Sequence, residues 1–317
     1  MSSSPLVTVI TPTYNRADYL PSVIDSVLAQ DYTQLEYIIL DDGSTDNTES
    51  VLKRYGMRIQ WESQPNMGEG RTVNKGWKLA RGEFIAVVNS DDPVMPGWLS
   101  TMVHYMQTHP EVLVAYPDWV MIDAQDQPIQ TIFTYDYSYA NMIRWHHCFP
   151  GPGVLIRRSA FEMEPERDTS FRYVGDYEYW MRLGLHGPFG RVNQALATFR
   201  FHQGSASLAA KGLMMAQEHI AMLDKFFQRS DIPRSIRELR REAYSAANYI
   251  AAIQCMSERQ SAARYFIRSL LLHPRSKPNG LSRSADLMAQ FILTPKLYAL
   301  ARRSLDYLSP VRQKQPA

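Results

Sequence analysis

The chain reads as an α/β protein, a doubly wound and mostly parallel sheet followed by a C-terminal helical region. Three observations predict this. Short apolar runs alternate with helical spacings up to residue 88, two of those runs end in paired carboxylates, and helical spacing alone continues from about residue 207. An order of βαβαβαβ returns each strand parallel to the last, and ligands of such sheets gather at the carboxyl ends of the strands.

Taken in order, residues 6–10 form a β-rich run expected to break at Thr11-Pro12, because proline donates no hydrogen bond to a ladder. Residues 18–30 carry Leu20, Val23, Ile24, Val27 and Leu28 at helical spacing, with Asp18 placed to cap them. Strand 35–40, helix 46–55, strand 57–61, helix 71–80 ended by Gly82, and strand 84–88 complete the series. The pattern then changes to a helix over 98–107 and short strands near 112–116, 119–122, 129–133 and 154–157. A helix over 176–185 and a strand over 192–201 follow, and the helical remainder is interrupted by a Pro/Gly/Ser-rich break at 274–284. A catalytic domain over 1–205 and a helical region over 206–317 are the expected units.

The 317 residues are 45% hydrophobic and 21% charged, which suits a soluble globular chain, and a net charge of +2 gives no bias toward nucleic acid. The charge is unevenly placed. Residues 258–317 hold 11 Lys/Arg against 3 Asp/Glu, which points that segment toward an anionic partner. Two cysteines, Cys148 and Cys255, make neither a disulfide framework nor a metal knuckle and suit a reducing compartment. No charged leader precedes an apolar stretch, and no window approaches the roughly 18 apolar residues of a membrane span. A cytoplasmic protein, at most peripheral at the inner membrane face, is therefore expected.

Asn89-Ser90-Asp91-Asp92 puts a carboxylate pair where the apolar run 84–88 meets solvent, with Pro93 and Pro96 stopping the strand. Such a pair suits a hard divalent cation, Mn2+ or Mg2+, which takes oxygen ligands and shares itself with substrate phosphates. Asp41-Asp42-Gly43-Ser44-Thr45-Asp46 stands at another strand end, where turn and helix-cap chemistry explains the same residues. Two acidic strand ends on one edge suggest a nucleotide and its metal.

Six blocks in this order resemble the inverting, nucleotide-sugar-dependent glycosyltransferases of family 2, whose GT-A fold is Rossmann-like. They are Val9-Ile10-Thr11-Pro12-Thr13-Tyr14-Asn15-Arg16, the 41–46 turn, Asn66-Met67-Gly68 with Asn74-Lys75-Gly76 and Ala80-Arg81-Gly82-Glu83, the 89–92 turn, Gly175-Asp176-Tyr177-Glu178-Tyr179-Trp180 with Arg182, and Arg200-Phe201-His202. The resemblance covers residues 6–205. It implies a nucleoside-diphosphate sugar donor, UDP or dTDP favoured, a glycan or lipid-linked acceptor, a role in surface polysaccharide synthesis, and a divalent metal held by Asp91. The family's first carboxylate in that triplet is Asn89 here, and an amide with Ser90 beside it still reaches a ribose hydroxyl without supplying charge. Asp92 either orients the ligand from behind or is a turn residue before Pro93.

The resemblance also makes Asp42 the acceptor for the N3–H of a uracil or thymine, with Asp41 near it and Thr11, Thr13, Tyr14 and Arg16 around base and diphosphate. Tyr14 stacks on the pyrimidine in that reading, and Arg16 either bridges to phosphate or pairs with Asp18. Asp176 is the expected general base, since an inverting transfer needs a carboxylate to take the acceptor hydroxyl's proton. Glu178 is the competing candidate, with stabilisation of a helix N-terminus as its structural role. The usual acidic residue before the base is Gly175. His202 matches a third metal or diphosphate ligand, against an exposed loop histidine. Arg71 faces the donor or is a solvated helix-start residue. Gly151 and Gly153 lie where family members bring the acceptor close, or form a plain loop. His146-His147-Cys148 is not expected to converge on one ion.

Residues 211–227 carry Leu213, Met214, Ile220, Leu223, Phe226 and Phe227, expected to pack on the catalytic domain. The segments 264–272 and 291–308 mix apolar and basic residues, which fits attachment to an anionic membrane surface or a helical subdomain with a basic side. The rival enzyme is a nucleotidyltransferase, although no glycine-rich phosphate loop follows the first strand. A non-catalytic GT-A-fold binding or scaffold protein is the third reading, kept open by Asn89 and Gly175.

Overall fold

The computed structural model describes residues 4–202 and 212–273. The expected alternation is present as β1 (Val7–Thr13), α1 (Leu20–Leu28), β2 (Leu35–Asp41), α2 (Thr48–Tyr55), β3 (Gln60–Ser63), α3 (Glu69–Leu79) and β4 (Phe84–Val87). β1 lies between β2 and β4, β3 pairs with β2, and every one of these pairings is parallel. All seven residues of β1 are buried, as the continuous apolar run of a strand covered on both faces requires.

Four local expectations are corrected. β1 continues through Pro12 to Thr13. The Ile10 carbonyl accepts from the Val88 N–H on the β4 side and the Thr13 carbonyl accepts from the Asp42 N–H on the β2 side. Alternation therefore turns the Pro12 nitrogen toward β4, whose pairing has already ended at Val87. Asp18 does not cap α1; the N-cap is Tyr19, without a side-chain bond, and Pro21 in the first turn needs no acceptor. The third strand starts late because Gly56, at φ 57°, leads into a 3-10 turn over Gly56–Arg58 that leaves Met57 fully exposed. Helix α3 ends where Ala80 becomes extended, before Gly82. Gly82 serves close approach instead, since a Cβ there would lie 2.5 Å from the Thr8 nitrogen.

Next come α4 (Trp98–Thr108), β5 (Val114–Ile122), β6 (Pro128–Ile132), α5 (Tyr139–Trp145), β7 (Leu155–Arg157), α6 (Ala160–Met163), α7 (Gly175–Leu183) and β8 (Phe189–Arg200). Where two short strands were expected, β5 is one. On one edge it pairs with β7 at Val114 and Ala115 and with β6 from Trp119, so Pro117 falls between the two ladders. The sheet order is β3-β2-β1-β4-β7-β5-β6, with β8 parallel to β5 on its other edge. Helices α5 and α6 were not expected; Ser138 caps α5 by accepting the Asn141 N–H.

The far end of β8 positions the site. It runs antiparallel beside residues 93–95, with Met95 N–H bonded to the Leu196 carbonyl at 2.9 Å and Thr198 N–H to the Pro93 carbonyl at 3.2 Å. This ladder carries Arg200 and His202 to the Asp91-Asp92 turn.

Helices α8 (Gly212–Phe227), α9 (Arg234–Arg237), α10 (Arg240–Gln254) and α11 (Arg259–Leu272) follow. Met222, Leu223, Phe226 and Phe227 of α8 share one buried cluster with Trp77, Tyr179 and Trp180. Burial of such side chains stabilises by about 1.5–3 kcal/mol each, so α8 is firmly seated. The boundary expected at 205/206, the break at 274–284 and the segment 291–308 lie outside the described residues. Among the described residues no helix is long and apolar enough to cross a membrane.

Candidate active site

The carboxyl ends of β1, β2 and β4 open into a cleft of about 900 Å3, bounded by the start of α3 and by residues 169–173. The loops after β1 and β2 are tied together by Asn15. It takes the left-handed conformation at φ 52°, accepts the Thr45 N–H at 2.8 Å and donates its own N–H to Ser44 Oγ at 2.8 Å. Thr13 lines the cleft, and among the described residues its buried Oγ1 has no partner. Tyr14 lines it too and is 46% exposed. Thr11 does not; it is fully buried, with its hydroxyl 3.1 Å from the Tyr37 hydroxyl.

The two carboxylates after β2 face different ways. Asp41 is buried and accepts from the N–H and hydroxyl of Ser44 and from Ser63 Oγ, which is turn chemistry, and it lies outside the cleft lining. Asp42 lines the cleft. Its Oδ1 accepts from Gln64 Nε2 at 3.0 Å and the Met67 N–H at 2.9 Å, and its Oδ2 accepts from the Gly68 N–H at 2.8 Å. Gly43, at φ 79°, lets the chain pass Asn66, whose nitrogen would lie 2.9 Å from a Cβ.

After β4, Asn89, Ser90, Asp91 and Asp92 all line the cleft. Asp92 is buried, accepts from Asn89 Nδ2 at 3.0 Å and from the Arg200 N–H at 2.7 Å, and so holds the turn together. Burial, with the Asp91 carboxylate beside it, pushes its pKa up to about 7. Asp91 Oδ2 stands 3.0 Å from His202 Nε2 and 3.3 Å from Arg16 Nε. Arg16 thus faces Asp91, a partner not among those expected. The Arg200 side chain is completely buried. It donates to the Asp91 carbonyl at 2.8 Å and the Asp123 carbonyl at 3.2 Å, pairs with Asp126, and packs 4.7 Å from the Tyr19 ring. The same Tyr19 ring lies 4.8 Å from His202, so one aromatic seats both side chains.

Arg71 lines the opposite wall, exposed, and no ion pair involves it among the described residues. Glu69 lines that wall too and lies within electrostatic reach of both Asp91 and Asp176. Asp176 sits exposed in the first turn of α7, bonded to the Tyr177 N–H at 2.7 Å, just beyond the lining residues 169–173. Glu178 turns away. Its carboxylate is held by Arg182 at 2.7 and 3.0 Å, and it borders a separate cleft of about 350 Å3.

Gly151 and Gly153 lie outside the cleft lining. Gly153, at φ 78°, fits against Ala197 and accepts from Trp98 Nε1 at 2.8 Å, and a Cβ on Gly151 would meet Trp119 at 3.1 Å. His146 points into the core, its Nε2 2.9 Å from His219 Nδ1. Among the described residues no group of three or more His, Cys, Asp or Glu side chains is arranged to hold a metal. The Asp91 carboxylate and the His202 imidazole, 3.0 Å apart, could together hold a divalent cation, and a mixed oxygen and nitrogen pair suits Mn2+ better than the harder Mg2+. Sequence reasoning missed Glu69 and the burial of Arg200; only the Arg200-Phe201-His202 block signalled the latter.

The family model described as glycosyl transferase family 2 matches residues 8–163. An uncharacterized glycosyltransferase of Nostoc sp. is 30% identical over 227 residues, covering 67% of this chain and 70% of that protein. The Escherichia coli UDP-Glc:alpha-D-GlcNAc-diphosphoundecaprenol beta-1,3-glucosyltransferase WfaP is 27% identical over 209 residues, covering 64% and 80%. Among solved structures, residues 1–349 of S. aureus TarS in complex with UDP-GlcNAc superpose with a TM-score of 0.66 at 17% identity, over 97% of this chain and 93% of that one.

Proposed function

Because the chain belongs to glycosyl transferase family 2 and has its GT-A fold, we propose that it transfers a sugar from a UDP- or dTDP-sugar to a hydroxyl of a glycan or lipid-linked acceptor, with inversion. One observation carries this reading. Asp42 and Asp91 line a single cleft of about 900 Å3, and His202 Nε2 stands behind Asp91, 3.0 Å from its Oδ2. Three donors already hold Asp42 and leave one acceptor position, which suits the N3–H of uracil or thymine. The Thr13 hydroxyl, without a partner among the described residues, and the exposed Tyr14 ring support binding of the base in this cleft. Asn89 and Ser90 line the cleft beside Asp91 and would meet the ribose, and Arg71, which makes no ion pair among the described residues, would meet diphosphate or sugar. UDP-sugar names on WfaP and TarS agree with a uridine donor.

Asp91 and His202 would hold a divalent cation, which neutralises charge on the departing diphosphate. Asp176 takes the proton of the acceptor hydroxyl as its oxygen bonds to the anomeric carbon. The bond from that carbon to the diphosphate breaks, and its electron pair leaves with the nucleoside diphosphate. Glu178, locked to Arg182, is not available for that step. Synthesis of surface polysaccharide at the cytoplasmic membrane face, with residues 258–317 on anionic lipid, completes the proposal; α11 leaves Ile267 and Leu271 exposed.

Thermal shifts with UDP-, dTDP- and GDP-sugars, each with Mn2+ or Mg2+, test the donor, and metal-dependent release of nucleoside diphosphate tests the reaction. Binding without release under any acceptor or metal would favour the scaffold reading.

A further inference from the structure

Residues 167–173 lead into the Asp176 turn; Thr169, Phe171, Arg172 and Tyr173 of this segment line the cleft, and the segment is held from outside. At its start, the Asn74 side chain of α3 makes two bonds to the Arg167 backbone, at 2.9 and 2.8 Å. In its middle, Asp168 pairs with Lys225 of α8, whose ammonium also lies 5.9 Å from the Phe171 ring. At its end, the Glu218 carboxylate of α8 accepts the Arg172 N–H at 3.0 Å and the Tyr173 N–H at 2.7 Å. Glu218 and Lys225 are seven residues apart and so share one helix face, with the buried Met222 between them.

We propose that Glu218 is a positioning residue for the transfer, fixing from α8 the backbone that carries Arg172, Tyr173 and the Asp176 turn. The inference rests on Asp176 as the base. Both N–H groups lie just ahead of the first turn of α7, whose N-cap residue Val174 makes no side-chain bond. A carboxylate there satisfies two donors with charge-assisted bonds and lies at the favourable end of the helix dipole. Arg172 and Tyr173 both line the cleft, so the same bonds hold backbone that borders it. Small misplacement of a reacting group is costly, about a hundredfold per ångström in unfavourable cases.

Three variants test this by amide hydrogen exchange and by release of nucleoside diphosphate from the panel of UDP-, dTDP- and GDP-sugars. Glu218→Ala should speed exchange at residues 172 and 173 at least tenfold and lower kcat roughly tenfold to a hundredfold with KM for the donor unchanged. Glu218→Gln, which keeps an acceptor oxygen, should fall between. Asp224→Asn, on the same helix but bonded among the described residues to the Tyr244 hydroxyl and not to residues 167–173, should change neither quantity and controls for loosening of α8. Unchanged exchange in Glu218→Ala overturns the proposal, as does faster exchange with unaltered kcat, or an equal loss in Asp224→Asn. If Asp176→Asn keeps turnover, the base assignment fails, and exchange at 172 and 173 still decides the role of Glu218.

Discussion

His202 Nε2 lies 3.0 Å from Asp91 Oδ2, although 111 positions separate the two residues. The strand β8 makes the meeting obligatory, because its bonds to Pro93 and Met95 fix the register in which Arg200 and His202 arrive. Replacing His202 by Ala should therefore weaken the metal dependence of donor binding by about 10–100-fold, as loss of metal-site groups does. Titrating Mn2+ against the donor-induced thermal shift measures it, and chelation should abolish the shift in the unaltered protein. An identical titration curve in the variant would remove His202 from the site.

Asp176 and Glu178 should separate into chemistry and stability. Asp176→Asn is expected to abolish transfer while donor affinity stays within about twofold, an estimate for loss of a group acting only in the transition state. Glu178→Gln should retain transfer yet lower stability by about 1–3 kcal/mol, since Arg182 is 12% exposed and loses a charged partner. Paired activity and denaturation measurements on both variants decide it; a dead Glu178→Gln with unaltered stability would reverse the assignment.

The buried His146–His219 pair should make stability depend on pH. Burial, followed by the neighbouring His219, holds His146 well below 6.5, and burial lowers His219 to about 4. Tyr177 packs edge-on against His146, and the Arg144–Glu242 pair links α5 to α10 nearby. The native rings stay neutral below pH 6.5 while the unfolded chain takes up protons, so stability falls as pH drops from 6.5 toward 4. Each ring contributes at most about 1.4 kcal/mol per pH unit. Urea unfolding at pH 7 and pH 5 should show a smaller decline in His219→Gln than in the unaltered protein; equal declines would count against the pair.

Gly76 brings α3 against the sheet. A Cβ there would stand 2.6 Å from Ile10 Cγ2, so Gly76→Ala should cost about 1–3 kcal/mol through overpacking. Denaturant midpoints measure this, and a neutral result would mean that Ile10 repacks freely.

Much of the proposed donor half was legible in the sequence because its signals are local. The runs that became β1, β2 and β4 are apolar throughout, and their acidic ends follow directly in the chain, so strand order alone puts Asp42 and Asp91 on one edge. Strand ends were less legible. Pro12 continues a strand because its nitrogen faces an edge that has run out of partners, and no single-strand pattern contains that fact.

By itself, then, the sequence determined the element types and parallel order up to β4 and the acidic strand ends, since periodicity and turn chemistry are written within a few residues. Tertiary structure alone decided which carboxylates are open. Asp41 is taken by Ser44 and Ser63 while Asp42 faces the cleft, and Glu178 is taken by Arg182 while Asp176 stays exposed. It also decided that Glu218 reaches the wall ahead of Asp176 from 45 positions away. The physical reason is that such partners are chosen by the register of packed strands and helices, and the free energy of pairing buried polar groups acts only once that packing exists.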